Sequence, residues 1–274
     1  MSSARPIGKL IFRLRKIAAL RWLWRVGFTV PVRWPQTGHI VYVDLFRNLR
    51  LVADRMQTVE VEERKTFDML IERVCPKVFW DVGSNVGIYT LHFLSRVPDG
   101  SVIAFEPDRR NVDLLTRTIQ KNRLRAVQIV PKAVGEQSGE AQFFLDDITG
   151  ATGTIIPDQM FITAQYGQVP KTTSVKLTTL DDELQHHPSP DIIKLDVEGA
   201  ELGVMMGGRH MLAQCLPVVM YEASLRYFTQ TSQILEMLGY RLFDAETLQP
   251  IDAPAYNIVA LHHTKHLDGG VRLR

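Results

Sequence analysis

The chain has 274 residues, 45% hydrophobic and 23% charged, which excludes a disordered or fibrous protein and permits a core without disulfide or metal staples. Its two cysteines, Cys75 and Cys215, lie far apart with no C-x-x-C. That argues against a disulfide framework or a cysteine zinc site, and for a reducing, cytoplasmic setting. The formal net charge of +2 conceals a division: residues 1–35 carry eight Lys or Arg and no acid, while the remaining 239 hold 24 basic and 30 acidic residues, a net of −6.

The expected organisation follows from that division, with a basic N-terminal arm over 1–35 and one domain over 36–274. Within the arm, Leu10 to Val30 is rich in aliphatic and aromatic residues, but arginines interrupt it. A spanning helix needs about 20 apolar residues in succession, and a signal peptide needs an unbroken apolar core. Three readings stay open. The arm is an amphipathic helix in peripheral contact with a membrane, an Arg-rich transit segment, or a helix packed on the body with its Arg heads in water.

Next comes a short strand, His39–Asp44, and a helix over Glu60–Val74 whose early acids suit its positive end. From there strands and helices alternate. Val78–Val82 is a strand, Ile88–Leu94 a helix, Ser101–Phe105 a strand, Arg109–Lys121 a helix and Val127–Val130 a strand. A polar, Gly-containing interruption follows, with strands at Gln142–Leu145 and Ser174–Thr178. Ile192–Leu195 is then a strand, Ala200–Leu212 a helix, Val218–Tyr221 a strand and Gln233–Leu238 a helix, with Arg241–Phe243 and Ile258–Leu261 closing the sheet. Alternation of this kind predicts an α/β fold, a mostly parallel sheet with helices on both faces. In such sheets ligands bind beyond the C-terminal ends of the strands.

The first of these strand ends carries Asp81-Val82-Gly83-Ser84-Asn85-Val86-Gly87, running straight into a helix. Gly83 permits a tight turn, Gly87 permits close backbone approach, and the helix start offers free N–H donors. Because Asn occupies position 85, the pattern is G-x-x-x-G and not the G-x-G-x-x-G of a pyrophosphate loop. An acid before the loop and a polar side chain within it suit a ligand with an amino-acid end. S-adenosylmethionine (AdoMet) is such a ligand, its ammonium toward Asp81 and its carboxylate toward the loop amides. Glu106 ends the next strand, nineteen residues past Gly87, where an acid accepts both ribose hydroxyls. Gly83, Ser84, Asn85, Gly87 and Glu106, with Asp81 and Asp196, are therefore the expected cofactor residues. A nicotinamide dinucleotide is the alternative.

Asp81–Gly87, Phe105-Glu106-Pro107 and the run Ile193-Lys194-Leu195-Asp196-Val197-Glu198-Gly199-Ala200-Glu201 resemble the FkbM family of AdoMet-dependent methyltransferases, the third run most specifically. Asn111, Asn122 and Pro217–Glu222 are weaker echoes, and the resemblance extends from Val78 to Phe243. It implies a class I methyltransferase (Rossmann-like) fold and O-methylation of a hydroxyl on a sugar, glycan or secondary metabolite. The middle segment Ile148–Thr154 departs from the Ser/Gly-rich stretch often found in the family, so the family's substrate loop does not carry over.

An aliphatic hydroxyl attacks poorly until a base takes its proton or a metal lowers its pKa. Asp196, Glu198 and Glu222 follow adjacent strands and could act as bases, or as oxygen ligands for one Mg²⁺. Lys194 alternates with Asp196 on its strand and reads as a salt-bridge partner, and Glu201 as an acid favouring the start of its helix. His92 reads as packed or surface, His186 and His187 as solvated, and His210 as supporting a helix C-terminus. The tail histidines His262, His263 and His266 could bind metal adventitiously. The Gly- and Pro-bearing segment Thr149–Lys171, with Met160, Phe161 and Tyr166, reads as a cover over the acceptor. Two other functions are weighed. One is a nucleic-acid methyltransferase, disfavoured by Asp-Val-Glu-Gly where Asn/Asp-Pro-Pro would grip a flipped base and by the acidic body. The other is a non-catalytic AdoMet-binding module.

Overall fold

The computed structural model describes residues 27–157 and 169–267. Strands β1 (Thr29–Arg33) and β2 (Ile40–Asp44) form an antiparallel hairpin, followed by helices α1 (Leu49–Ala53) and α2 (Val61–Val74). The alternating series comprises β3 (Val78–Val82), α3 (Ile88–Arg96), β4 (Ser101–Phe105), α4 (Arg109–Asn122) and β5 (Val127–Val130). Then come β6 (Ala133–Val134), β7 (Gly139–Phe144), β8 (Thr172–Thr178) and α5 (Leu180–Leu184). The chain continues through β9 (Ile192–Leu195), α6 (Glu201–Met206), α7 (Arg209–Cys215), β10 (Val218–Glu222), α8 (Phe228–Met237), β11 (Tyr240–Asp244) and β12 (Asn257–His262).

Seven strands make the central sheet in the order β11-β12-β10-β9-β3-β4-β5, parallel except for β12, which runs antiparallel to both neighbours. The strand order reverses between β3 and β9, and that switch point is where an open α/β sheet holds its ligand. Alternation along single strands builds both faces. Trp80 and Val82 join Ile193, Leu195 and Tyr221 under α6, α7 and α8, whereas Phe79 packs with Val102, Ala104 and Ile192 under α2, α3 and α4. The strands are buried on both faces, which is why they read as continuous apolar runs.

A second sheet, β6-β8-β7, fills the polar interruption and stands beside the switch point. The hairpin is docked by side chains of α4: the Ile40 amide donates to Asn122 Oδ1 (2.9 Å), Asn122 Nδ2 donates to the Ile40 carbonyl (2.7 Å), and the Tyr42 amide donates to Thr118 Oγ1 (2.9 Å). Residues 29–33 fall within the stretch assigned to the basic arm, yet they form β1 and bury Val32. The folded body therefore begins before residue 36. The rest of the arm, residues 1–26, and Met160, Phe161 and Tyr166 of the expected cover lie outside the described residues. No helix among the described residues is long and apolar enough to cross a membrane.

The single helix expected over Ala200–Leu212 is divided into α6 and α7. Asp181 explains the second start, because its carboxylate accepts the backbone amides of Met211 (2.7 Å) and His210 (3.2 Å). His210 accordingly lies in the first turn of a helix and not near a C-terminus.

Candidate active site

The loop after β3 is shaped first by packing. A Cβ on Gly83 would lie 1.9 Å from the Asp196 carbonyl oxygen, and one on Gly87 would lie 2.5 Å from Leu115 Cδ1. Gly83 thus lets the β3 loop touch the end of β9, and Gly87 lets α3 start against α4. Both have positive φ, +85° and +86°. Four of the loop amides are already engaged. Gly83 and Ser84 donate to the Phe105 carbonyl (both 3.0 Å), Asn85 to Glu106 Oε2 (2.8 Å) and Gly87 to the Ser84 carbonyl (2.8 Å). Those four amides are not free for a ligand carboxylate. What the loop offers is side-chain oxygen: Ser84 Oγ and Asn85 Oδ1 are buried without a hydrogen-bond partner, as is Asn111 Oδ1 from α4. Buried polar atoms of this kind cost free energy unless something pairs with them, which makes these three candidates for ligand contact.

Glu106 stands opposite that loop. Its Oε1 accepts the Asp108 amide (2.7 Å) and its Oε2 the Asn85 amide (2.8 Å), leaving lone pairs on both oxygens. Burial pushes its carboxyl up to about 7. Gly83, Asn85, Glu106, Asn111, Lys132 and Asp146 line a narrow chamber of about 50 Å³. The donor and acceptor set fits the adenosine end of AdoMet: an acid for paired hydroxyls, with orphaned side-chain oxygens nearby.

Beside this chamber opens a larger cleft of about 400 Å³, walled by Asp81, Lys194, Glu222, Tyr89, Tyr256 and the arginines Arg47 and Arg50. Gly83, Asn85, Ala151, Asp196 and Glu198 line both cavities and form the partition between them. Asp81 faces the cleft. Its Oδ2 accepts the Thr90 amide (3.0 Å) and Thr90 Oγ1 (2.6 Å), fastening α3 to β3, and burial raises its carboxyl to about 6.

Lys194 is the cation at the centre of these acids. Its Nζ donates to Asp196 Oδ2 at 2.5 Å and lies 4.3 Å from the Tyr89 ring centroid, with Asp81 also near enough to stabilise the ammonium. The salt bridge expected from strand alternation is therefore present. Glu198 has a left-handed backbone (φ 52°), and burial followed by repulsion from Asp196 and Glu222 raises its carboxyl to about 9. Glu222 ends β10, and its carboxyl is raised chiefly by burial, then by repulsion from Asp196.

The donor set does not fit the Mg²⁺ that the sequence left open as an alternative to base catalysis. Among the described residues no three His, Cys, Asp or Glu side chains are arranged to hold a metal ion, and Asp196 already serves Lys194. The positive charge these acids attract is supplied by Lys194.

The turn after β9 is organised by Glu201, whose Oε1 accepts the Gly199 (3.1 Å) and Val197 (3.3 Å) amides while burial raises its carboxyl to about 7. A carboxyl raised above its ordinary 4.5 binds protons more readily folded than unfolded, so its contribution to stability is lost as pH rises from about 4.5 to 7. Glu201→Gln keeps an acceptor oxygen and cannot titrate. The expected result is a melting-temperature difference, variant minus native, that grows between pH 4.5 and 7 and then levels. A pH-independent difference in a thermal-denaturation series would contradict the assignment.

The first part of the expected cover is held firmly. Asp146 accepts the amides of Ile148 (2.8 Å), Thr149 (2.7 Å), Ala151 and Thr152 (both 3.2 Å) and the hydroxyls of Thr149 and Thr152. These bonds, opposing its burial, bring its pKa down. Asn85 Nδ2 donates to the Gly150 carbonyl (3.1 Å), and Thr154 Oγ1 to the Glu198 carbonyl (2.9 Å). Residues 150–155 thus roof the smaller chamber.

The histidines stand apart from both cavities. His92 is buried and bonded to Asp68 (2.7 Å), and His187, expected in solvent, has a buried ring bonded to Glu183 (3.1 Å). His266 accepts the His262 amide through Nδ1, and the His262 ring stacks on that of His263. Residues that the motifs did not reveal are Asp146, Arg47, Arg50, Tyr89 and Tyr256. They reach the site from other elements, and no spacing rule connects them to it.

A profile described as the methyltransferase FkbM domain matches residues 81–242. Hexuronic acid methyltransferase AglP of Haloferax volcanii is 33% identical over 203 residues, covering 71% of this chain and 76% of that protein. The 2-O-methyltransferase NoeI of Sinorhizobium fredii is 27% identical over 184 residues, covering 63% and 74%. Against Methyltransferase 1 of Beauveria bassiana (25% identity over 142 residues, 46% of this chain), the chain spans only 56% of the relative's length. A solved FkbM methyltransferase from Methylobacillus flagellatus aligns with a TM-score of 0.47 at 17% identity, over 68% of this chain and 43% of that one. With the profile match running from the end of β3 to β11, the chain belongs to the FkbM methyltransferase family.

Proposed function

We propose that the chain transfers the methyl group of AdoMet to a hydroxyl of a sugar or related small metabolite. The observation that carries this reading is the shared partition. A chamber with an AdoMet-like donor and acceptor set meets, across Asp196 and Glu198, a cleft whose floor bears Glu222. The relatives named for hexuronic acid and 2-O-methylation support a sugar acceptor.

AdoMet supplies an electrophilic methyl group when bound. Glu106, Ser84, Asn85 and Asn111 hold its polar groups, on a loop that Gly83 and Gly87 allow to pack. The carboxylates of Asp81 and Asp196 give its positive charge a favourable environment. Asp196, steadied by Lys194, orients the acceptor hydroxyl, and Glu222, raised by burial toward the range of a working base, takes the proton. Glu198 retains its own proton near neutrality and donates a hydrogen bond across the partition.

The test is detection by mass spectrometry of a +CH₂ product from a panel of sugars and glycosides. Glu222→Gln is expected to lower kcat by about 100-fold, the lower range for a general base, with AdoMet affinity little changed, whereas Asp196→Asn lowers kcat and weakens AdoMet binding together. Calorimetry with AdoMet, S-adenosylhomocysteine and NAD⁺ checks the cofactor class. Binding of NAD⁺ without the first two would refute the proposal.

A further inference from the structure

The acceptor cleft draws its lining from two parts of the chain with different origins. The acids Asp81, Asp196, Glu198 and Glu222 fall within the FkbM match at 81–242. Arg47, Arg50 and Glu60 precede that match and Tyr256 follows it. The acids beside Lys194 therefore belong to the shared domain, and the exposed Arg50 and Tyr256 to its flanks.

The turn that presents the arginines is built. Asp44 Oδ1 accepts the amides of Phe46 and Arg47 (both 2.9 Å), and Asn48 Oδ1 returns to accept the Asp44 amide (2.9 Å). Arg47 is buried and pairs with Asp108 (3.4 Å), which ties the turn to the start of α4. Arg50, one turn on, lines the cleft with its residue exposed, and no carboxylate lies within salt-bridge distance of it among the described residues. On another wall Tyr256 is 67% exposed, with Glu222 lining the same cleft, so its ring is accessible to a ligand there.

Resting on the methyltransferase reading above, we propose that the acceptor is an anionic glycoside whose carboxylate or phosphate is taken by Arg50 while its ring lies on Tyr256. Charge polarity gives the pose one direction. The Lys194 ammonium is already paired with Asp196, so the anion is drawn to the Arg50 guanidinium, unpaired among the described residues, and repelled by Asp81 and Glu222, which leaves the neutral hydroxyls toward Asp196 and Glu222. An aromatic face with a polar handle suits a pyranose, which has an apolar face and polar edges.

The experiment is calorimetric titration of the full chain saturated with S-adenosylhomocysteine. Three probes are used: methyl β-D-glucuronide, methyl β-D-glucoside and glucose 1-phosphate. The expected result is at least tenfold tighter binding of one anion than of the neutral glucoside, about what one desolvated charge pair supplies. Which anion binds tells carboxylate from phosphate. Arg50→Gln is expected to reduce that preference to within twofold, and Arg50→Lys to restore part of it. Tyr256→Phe, which keeps the ring, is expected to retain anion binding, whereas Tyr256→Ala weakens all three probes. Equal binding of charged and neutral probes, no binding of any, or a preference that survives Arg50→Gln would each overturn the proposal. S-adenosylhomocysteine saturation in the same titrations tests the methyltransferase reading separately, so failure of one is distinguishable from failure of the other.

Discussion

Glu106→Ala is expected to weaken AdoMet binding by about 100-fold or more, with the fold retained. Hydrogen bonds to a charged group contribute about 1.5–3 kcal/mol each, and the variant forfeits two to the ligand's hydroxyls. It also frees the Asn85 and Asp108 amides that the carboxylate now holds, so the loop that carries the orphaned Ser84 and Asn85 oxygens loses its brace. Fluorescence or calorimetric titration measures the effect, and circular dichroism checks the fold. A change below fivefold would remove Glu106 from the cofactor site.

Gly83→Ala is expected to cost stability before it costs chemistry. The new methyl group would sit 1.9 Å from the Asp196 carbonyl oxygen, backbone against backbone, at a φ of +85°. Left-handed strain in a non-glycine residue costs about 1–3 kcal/mol and overpacking a similar amount, so about 2–5 kcal/mol is expected. For a chain of this size that lowers Tm by roughly 5–15 °C. Gly38→Ala separates the two contributions, because its φ is +75° but a Cβ there meets nothing within 4 Å. It should show the strain alone. If both variants melt together, the contact with β9 is not what requires glycine at 83.

The central sheet was legible because its strands are buried on both faces and end abruptly at turn residues. The expected limits of β3, β4, β5 and β9 coincide with the observed ones. β1 escaped notice because it lies among arginines and carries Pro31, which suits an edge strand and breaks the usual pattern. The glycine loop was legible as a place of close backbone approach, and the structure supplies the packing reason for its glycines. Gly83 and Gly87 answer to neighbouring backbone and side chain, and the ligand-directed information lies in Asn85, Ser84 and Glu106. Lys194 and Asp196 could be paired from strand alternation alone. The ring of Tyr89 beneath that lysine comes from α3, and Arg50 and Tyr256 arrive from beyond the motifs, so only tertiary structure brings them together.

The roof over the smaller chamber bears on the time course of binding. Residues 150–155 are fastened by the Asp146 turn and by the bonds from Asn85 to Gly150 and from Thr154 to Glu198. If AdoMet reaches Glu106 only after these bonds open, association in a stopped-flow experiment should approach a plateau as its concentration rises, with the ceiling set by the opening step. A rate that stays linear in concentration would show instead that the chamber admits its ligand with the roof in place.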